Sequence, residues 1–416
     1  MVDVMDCPTT DRQTRPLRLC CFSAFIYPVM SGRNMNIGGA ERDLYTLVKE
    51  LARTPLIHVE IITRTDEITS PMQIQGIILK PVRPSMAKPD SSMLWQRLGM
   101  MTYYIRLLWA FLTTPADLFF VKLASVEACL LWFAATMRRL PVIFRIEHDW
   151  ETSRNEAAQN LFMGNALLAG IFFFCLKRMD WIICQTKLQA QQLQKKYGLT
   201  ATLIHNAHEM PSGKPPSVCE RHHVLWVGRG HPMKQAEVYL DLARRLPERQ
   251  FVMIMSVVPG YEDYHSSIRS QAALLPNLTF VPGLSPDETV DYYQKERIFV
   301  LTSGAEGFSN AVIEAMKHAT PVVSYCLNPD SIFQPLKEKD DVARNDEEPC
   351  PDMQPAIGWC ARGNPDAMTE QIDELFRNDS LWQKSSELAR SHAMQHYDVK
   401  SIAMQYMTLF QELSKR

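Results

Sequence analysis

Between residues 17 and 324, short apolar runs alternate with longer amphipathic ones; a proline-rich polar stretch interrupts the pattern once, and it then restarts. Strand candidates before the break are 17–23, 59–63, 118–121, 141–146 and 181–184. After it they are 224–227, 251–255, 278–281, 298–301 and 321–324. Helical stretches fall between them at 40–53, at 187–197 with Gly198 as its stop, and at 236–245, 287–295 and 310–317. Parallel strands need a crossover connection, usually a helix, so this spacing implies parallel sheets covered on both faces. Read twice over, it predicts an α/β chain of two facing, Rossmann-like, doubly wound domains with a cleft between them. The break at 207–222, holding Pro211, Gly213, Pro215 and Pro216, is the expected linker. Residues 1–206 then form the first domain and 223–390 the second, with 391–416 a terminal helix packing back towards the first. Residues 379–415 read as helical throughout, and 338–348 as a charged loop. In such sheets ligands bind at the carboxyl ends of the strands, so a ligand in the cleft would touch loops of both halves.

Charge and composition remove several classes. The chain carries a net charge of −2, but residues 1–200 hold 23 Lys/Arg against 17 Asp/Glu, so the first half is basic and the remainder acidic. A basic face suits anionic lipid or phosphate groups; with no dense Lys/Arg run, nucleic acid is not an expected partner. The 10 cysteines form no Cys-x-x-Cys pair, which suits reduced thiols in a reducing compartment. The polar first residues lack the apolar core of a signal peptide, and a cytoplasmic location follows as the expectation. The sequons at Asn277 and Asn378 would then carry no glycan. Three apolar segments, 100–112, 118–137 and 165–176, are either buried core helices or a surface dipping into a membrane interface. None is an uninterrupted membrane span.

Two stretches carry chemistry. At 302–316 the sequence TSGAEGFSNAVIEAM leads from an apolar strand through a glycine loop into a helix that starts after Ser309, a natural N-cap. A helix N-terminus offers unpaired N–H groups and a positive dipole end, which suit a diphosphate. Glu306 in the loop and Glu314 inside the helix flank that position, and carboxylates accept hydrogen bonds from vicinal diols. At 227–234 the sequence VGRGHPMK again follows a strand and brings Gly228, Arg229 and Lys234. Two cations there would neutralise a departing diphosphate without a metal. The Gly-x-Gly in this stretch lacks the third glycine of a dinucleotide fingerprint, which disfavours a dehydrogenase.

These residues resemble glycosyltransferase family 4, retaining enzymes of the GT-B fold. Glu306 and Glu314, eight apart, match the family's paired glutamates, and Arg229 and Lys234 match its Arg and Lys. Ala319 stands where the family usually has glycine, and Gln235 replaces the glycine that commonly follows the lysine. Ile37-Gly-Gly-Ala-Glu-Arg42 looks like the family's first glycine loop, and 203–208, LIHNAH, resembles its hinge motif with Ala207 at the glycine. The resemblance runs from about 18 to 400.

What it implies is specific. Gly38 and Gly39 would face the donor diphosphate; Gly307, Phe308 and Ser309 would contact donor sugar and phosphate through their backbone. His148 would lie near a far hydroxyl of that sugar, with Asp149 beside it. Glu314 would hold a ribose and Glu306 the sugar. The co-substrate would be a UDP- or GDP-linked sugar, with no cofactor and no metal. The leaving phosphate would take the acceptor proton, and a carboxylate pair of the glycosidase kind is not expected. The basic, aromatic-rich first half then points to a glycan or lipid-linked acceptor, with peripheral contact to an anionic membrane. A small soluble acceptor and a non-catalytic sugar-nucleotide binder are the alternatives.

Overall fold

The computed structural model describes residues 15–32, 38–84, 92–336 and 354–413. The first sheet contains β1 (Leu17–Phe22), β2 (Ile57–Arg64), β3 (Met72–Ile74), β4 (Ile77–Val82), β5 (Leu118–Lys122), β6 (Val142–Arg145), β7 (Trp181–Cys184) and β8 (Thr202–Leu203). Its order is β3-β4-β2-β1-β5-β6-β7-β8, parallel except for the β3–β4 hairpin. The second contains β9 (His223–Arg229), β10 (Gln250–Ser256), β11 (Leu278–Pro282), β12 (Ile298–Leu301), β13 (Val322–Ser324), β14 (Gln334–Pro335) and β15 (Gly358–Cys360). Its order is β11-β10-β9-β12-β13-β15-β14. Central strands such as β5, LFFVK, are buried along their whole length, because helices cover both faces of a parallel sheet.

Each sheet reverses its winding once, beside β1 in the first and β9 in the second, where chain-order neighbours lie on opposite sides. Such switch points open a crevice at the carboxyl ends of the strands. Two apolar layers cover each sheet, and one of those on the first sheet is completed from far along the chain. There Ile402, Tyr406 and Phe410 pack with Leu44, Leu47 and Val48 of helix Gly39–Leu51, and Tyr406 meets Phe120 edge-on at 5.7 Å.

Three expectations change. The continuous helix over 379–415 is two helices, Asp379–His396 and Val399–Leu413. The chain turns at Tyr397 and Asp398, where the His208 amide donates to Tyr397 O at 2.8 Å and the Val399 amide to His208 O at 2.9 Å. Residues 391–396 therefore close a second-domain helix, and Val399–Leu413 is the part that packs into the first-domain core. The apolar segment 118–137 is strand β5 followed by helix Val126–Arg138, with Leu123 at φ +68° between them. Segments 100–112 and 165–176 fall in helices Met93–Thr113 and Ala166–Leu176. Among the described residues no helix is long and apolar enough to cross a membrane. The charged stretch 338–348 lies outside the described residues.

Candidate active site

On the second-domain wall, β9 delivers Gly228 and Arg229 to the mouth of the cleft. A Cβ on Gly228 would lie 2.6 Å from the Trp226 ring, so only glycine fits there. Trp226 Nε1 donates to Thr302 Oγ1 at 2.9 Å, Thr302 donates to Lys234 O at 2.6 Å, and the Gly304 amide donates to Met233 O at 2.9 Å. The loops after β9 and β12 are thereby fixed to each other. The Lys234 ammonium pairs directly with the Glu306 carboxylate, which also accepts from Ser303 Oγ at 2.8 Å. Burial pushes the Glu306 carboxyl up, but Lys234 and the Ser303 hydroxyl outweigh it and hold the group below its ordinary value. The sequence suggested two cations for a diphosphate here, and one of them, Lys234, is paired with Glu306. Arg229 stays exposed, without an ion pair among the described residues.

Helix Asn310–Lys317 begins after Ser309, yet the Ser309 side chain makes no capping hydrogen bond. This corrects the cap expected from sequence and leaves first-turn N–H groups for a ligand. At the other end Thr320 N donates to Ala315 O at 2.9 Å, with Ala319 at φ +61°: a left-handed stop built without glycine. Glu314 takes Lys317 Nζ at 2.9 Å and lies 3.0 Å from His208 Nδ1. Burial raises its pKa, but His208 and Lys317 prevail and lower it to about 2, so the carboxylate is ionised at neutral pH.

The first-domain wall presses close. A Cβ on Gly39 would collide with the Asn310 amide, and one on Gly307 with the Glu147 carbonyl. Each glycine thus permits an approach between domains. The Phe308 amide donates to Gln185 Oε1 at 3.1 Å, so this backbone group, expected to face the donor, is held by the first domain instead. Asn206 donates to Phe308 O at 3.2 Å and to Asn310 Oδ1 at 2.8 Å. His148 stacks on Trp150 at 3.9 Å and accepts that residue's amide at Nδ1 over 3.3 Å. The neutral ring then carries its proton on Nε2, a buried atom with no partner among the described residues. Burial lowers its pKa to about 4, with Glu306 opposing and Lys234 and Arg229 assisting, so His148 feels all three second-domain charges. The Asp149 carboxylate accepts from Gln189 at 3.0 Å, and burial raises its carboxyl to about 6.

Several functional neighbours were not singled out from sequence. Glu151 accepts the amides of Ala124, Glu147 and His148 at 2.5, 2.5 and 2.8 Å, fixing the turn that aims His148. Beneath it lies a buried ionic group. Lys122 bridges Asp43 and Glu147, and Arg145 reaches Asp43 at 3.0 Å, Tyr406 Oη at 3.1 Å and Asn206 at 2.5 Å. Asp43 Oδ1 also accepts the Ala207 amide at 2.7 Å. The glycine-loop helix, two strand ends, the hinge and Tyr406 are thus joined in one network. Asn206 and His208 lie inside the quoted hinge motif, and Arg145 and Glu147 in the stretch that leads to His148; Asp43, Glu151 and Tyr406 carried no signal.

Two adjacent family models match the chain: "Glycosyltransferase Family 4" over residues 37–209 and "Glycosyl transferases group 1" over 213–330. Together they span well over half of it and contain every residue placed on the two walls above. The chain belongs to the group 1, family 4 glycosyltransferases. A curated relative, the D-inositol 3-phosphate glycosyltransferase of Rhodococcus jostii (strain RHA1), is 29% identical over 110 residues. That match spans about a quarter of each protein, 24% of both. The sucrose-phosphate synthase of Thermosynechococcus elongatus superimposes with a TM-score of 0.66 at 15% identity, covering 95% of this chain and 99% of that one. A trehalose-6-phosphate structure from E. coli bound with UDP-2-fluoro glucose gives 0.65 at 10% identity, covering 96% and 99%. At such identities the likeness speaks for architecture, and the architecture is GT-B.

Proposed function

We propose that this family 4 chain is a retaining, metal-independent glycosyltransferase that moves a sugar from a UDP- or GDP-linked donor to a glycan or lipid-linked acceptor at the cytoplasmic face of a membrane. One observation carries the reading: an uncapped helix N-terminus and the unpaired Arg229 stand on one wall, and an unpartnered His148 N–H stands near them from the other. The first two suit a diphosphate, and the third suits a sugar hydroxyl. Glu314, ionised and 26% exposed, accepts the ribose diol. Glu306 orients the sugar and, through Lys234, is linked to the charge that builds on the leaving phosphate. That phosphate takes the acceptor proton on the sugar face it vacates, which retains configuration. The test is calorimetry with UDP- and GDP-sugars followed by NMR of the product anomer. No binding of either class refutes the donor assignment, and an inverted product refutes the mechanism.

A second reading has its own support. The curated relative is named for a small phosphorylated polyol acceptor, and transfer to a soluble polyol phosphate exceeding transfer to a vesicle-embedded acceptor would favour it.

A further inference from the structure

One layer over the first sheet is apolar on its outside as well as its inside. Helices Met93–Thr113, Val126–Arg138 and Ala166–Leu176 share the buried cluster beneath them, and Trp132 meets Phe174 edge-on at 6.1 Å across two of them. Their inward faces account for core packing. Outward, Trp95 and Trp109 are 65% and 67% exposed, and Ile105, Met137, Ile171 and Phe174 are exposed with them. A contiguous apolar face of this kind on a protein surface marks a contact with another phase or another molecule.

Charge complementarity selects the occupant. Arg97 and Arg106 stand among the exposed apolar groups, and Arg139, Lys177 and Arg178 border them. Glu127 is the sole acidic residue on the three helices, and it accepts from Tyr103 Oη at 3.5 Å. Beside helix Met93–Thr113 lies a groove of about 400 Å³ that contains Lys80, Arg83, Arg106, Trp109 and Thr113. Lys80 is engaged by Glu60 at 2.7 Å, while Arg83 and Arg106 are exposed and have no ion pair among the described residues. The acids closest in sequence to the groove lining, Asp66 and Glu67, precede Ile68 on the turn after β2. Aromatic and aliphatic groups interleaved with unpaired arginines match the interfacial region of an anionic bilayer, where indole rings sit at headgroup depth and cations meet phosphate. The helix follows β4, so its first turns lie at the carboxyl end of the sheet, on the side of the cleft.

We propose that this three-helix face docks on an anionic membrane and that the Arg83–Arg106 groove takes a lipid phosphate headgroup. The inference rests on the lipid-acceptor reading above and adds the surface and the headgroup chemistry. The test is flotation of the full chain with phosphatidylcholine vesicles, alone or mixed with phosphatidylglycerol, at low and high salt. Binding is expected only to the mixed vesicles and is weakened by salt, because exposed charges are screened. Arg83→Gln with Arg106→Gln should lower partitioning about thirtyfold, the effect of removing two surface cations. Trp95→Ser with Trp109→Ser should abolish it. Equal binding to both vesicle types, no binding to either, or wild-type binding by the arginine variant overturns the proposal. So does a dimer in sedimentation that the tryptophan variant dissolves, since the occupant would then be a second copy. Donor binding by calorimetry should be unchanged in every variant. Vesicle binding by a chain that binds no donor would support the docking face while removing the transferase reading.

Discussion

Replacing Lys234 with alanine removes the partner of a buried carboxylate and should invert how that carboxylate responds to pH. In the native chain the Lys234 and Glu306 side chains keep only 15% and 14% of their surface. Glu306 has a folded pKa below its ordinary value. It therefore contributes stability above the unfolded carboxyl pKa of about 4.3, and that contribution is lost as pH falls through the folded value. Burial is the largest influence on Glu306, and Lys234 is the largest opposing it. Without the ammonium, Ser303 and His148 remain as opposition, burial prevails, and the folded pKa rises above the unfolded one. The same group then destabilises the fold as pH rises. Removing one partner of a fully buried pair costs about 3–5 kcal/mol. Residual exposure and the Ser303 hydrogen bond reduce this to about 2 kcal/mol at neutral pH. The assay is urea unfolding of the wild type, Lys234→Ala, Glu306→Gln and the double variant, at about pH 7 and about pH 4.5. Lys234→Ala should lose most at the higher pH, and the double variant should recover about 1 kcal/mol there because an amide is cheaper to bury than an unpaired charge. A Lys234→Ala loss of equal size at both pH values would refute the reasoning.

Further outcomes are open to direct measurement. Glu314→Gln should raise the donor KM about tenfold with little change in kcat, since ribose contacts change little on reaching the transition state, while Glu306→Gln should mainly lower kcat; single-turnover rates check this, and the reverse pattern would exchange the two roles. His148 has a folded pKa of about 4, below its unfolded value, so native stability should fall as pH drops from about 6.5 towards 4. His148→Gln should flatten that slope, and an unchanged slope would remove the buried neutral ring from the account. Gln235 holds φ +47° with a buried Oε1 that has no hydrogen-bond partner among the described residues, so Gln235→Gly should stabilise the chain by about 1 kcal/mol in urea unfolding, relieving left-handed strain and an unsatisfied oxygen; a loss would show that its packing matters more. Transfer should survive EDTA, and loss restored by magnesium or manganese would overturn metal independence.

The alternation of strand and helix was readable because buried parallel strands are continuous apolar runs, as in β5, β6 and β12. The β3–β4 hairpin was not, because β3 is three residues long and its Gln75-Gly76 turn, at φ +49° and +83°, resembles any polar loop. The turn at Tyr397 was hidden because helix-forming residues run on through it, and its cause is the hydrogen bond to His208, far away in sequence. Glu306, Glu314, Arg229 and Lys234 were legible from their spacing. That Lys234 is tied to Glu306, and Glu314 to His208, was not, since those partners are 72 and 106 residues apart. The pairing of Asp43, Lys122, Arg145 and Glu147 was equally hidden, although Arg145 and Glu147 stand in the stretch that leads to His148. Scattered charges on three elements and a loop read as solvated until topology brings them together.

The chain passes between the domains twice, and the two passages lie side by side. At His208 and Asp398 they pair as a short parallel bridge, and beyond it Val399–Leu413 fills a layer of the first-domain core. That domain is therefore assembled from two pieces of chain with the whole second domain inserted between them. During synthesis from the N-terminus, Arg145 must wait for the Tyr406 hydroxyl, and Leu44 and Phe120 for their cover, until helix Val399–Leu413 has emerged. The half made first is thus completed last, and the cleft wall that carries His148 acquires its full support only after the wall that carries Glu306 has been made.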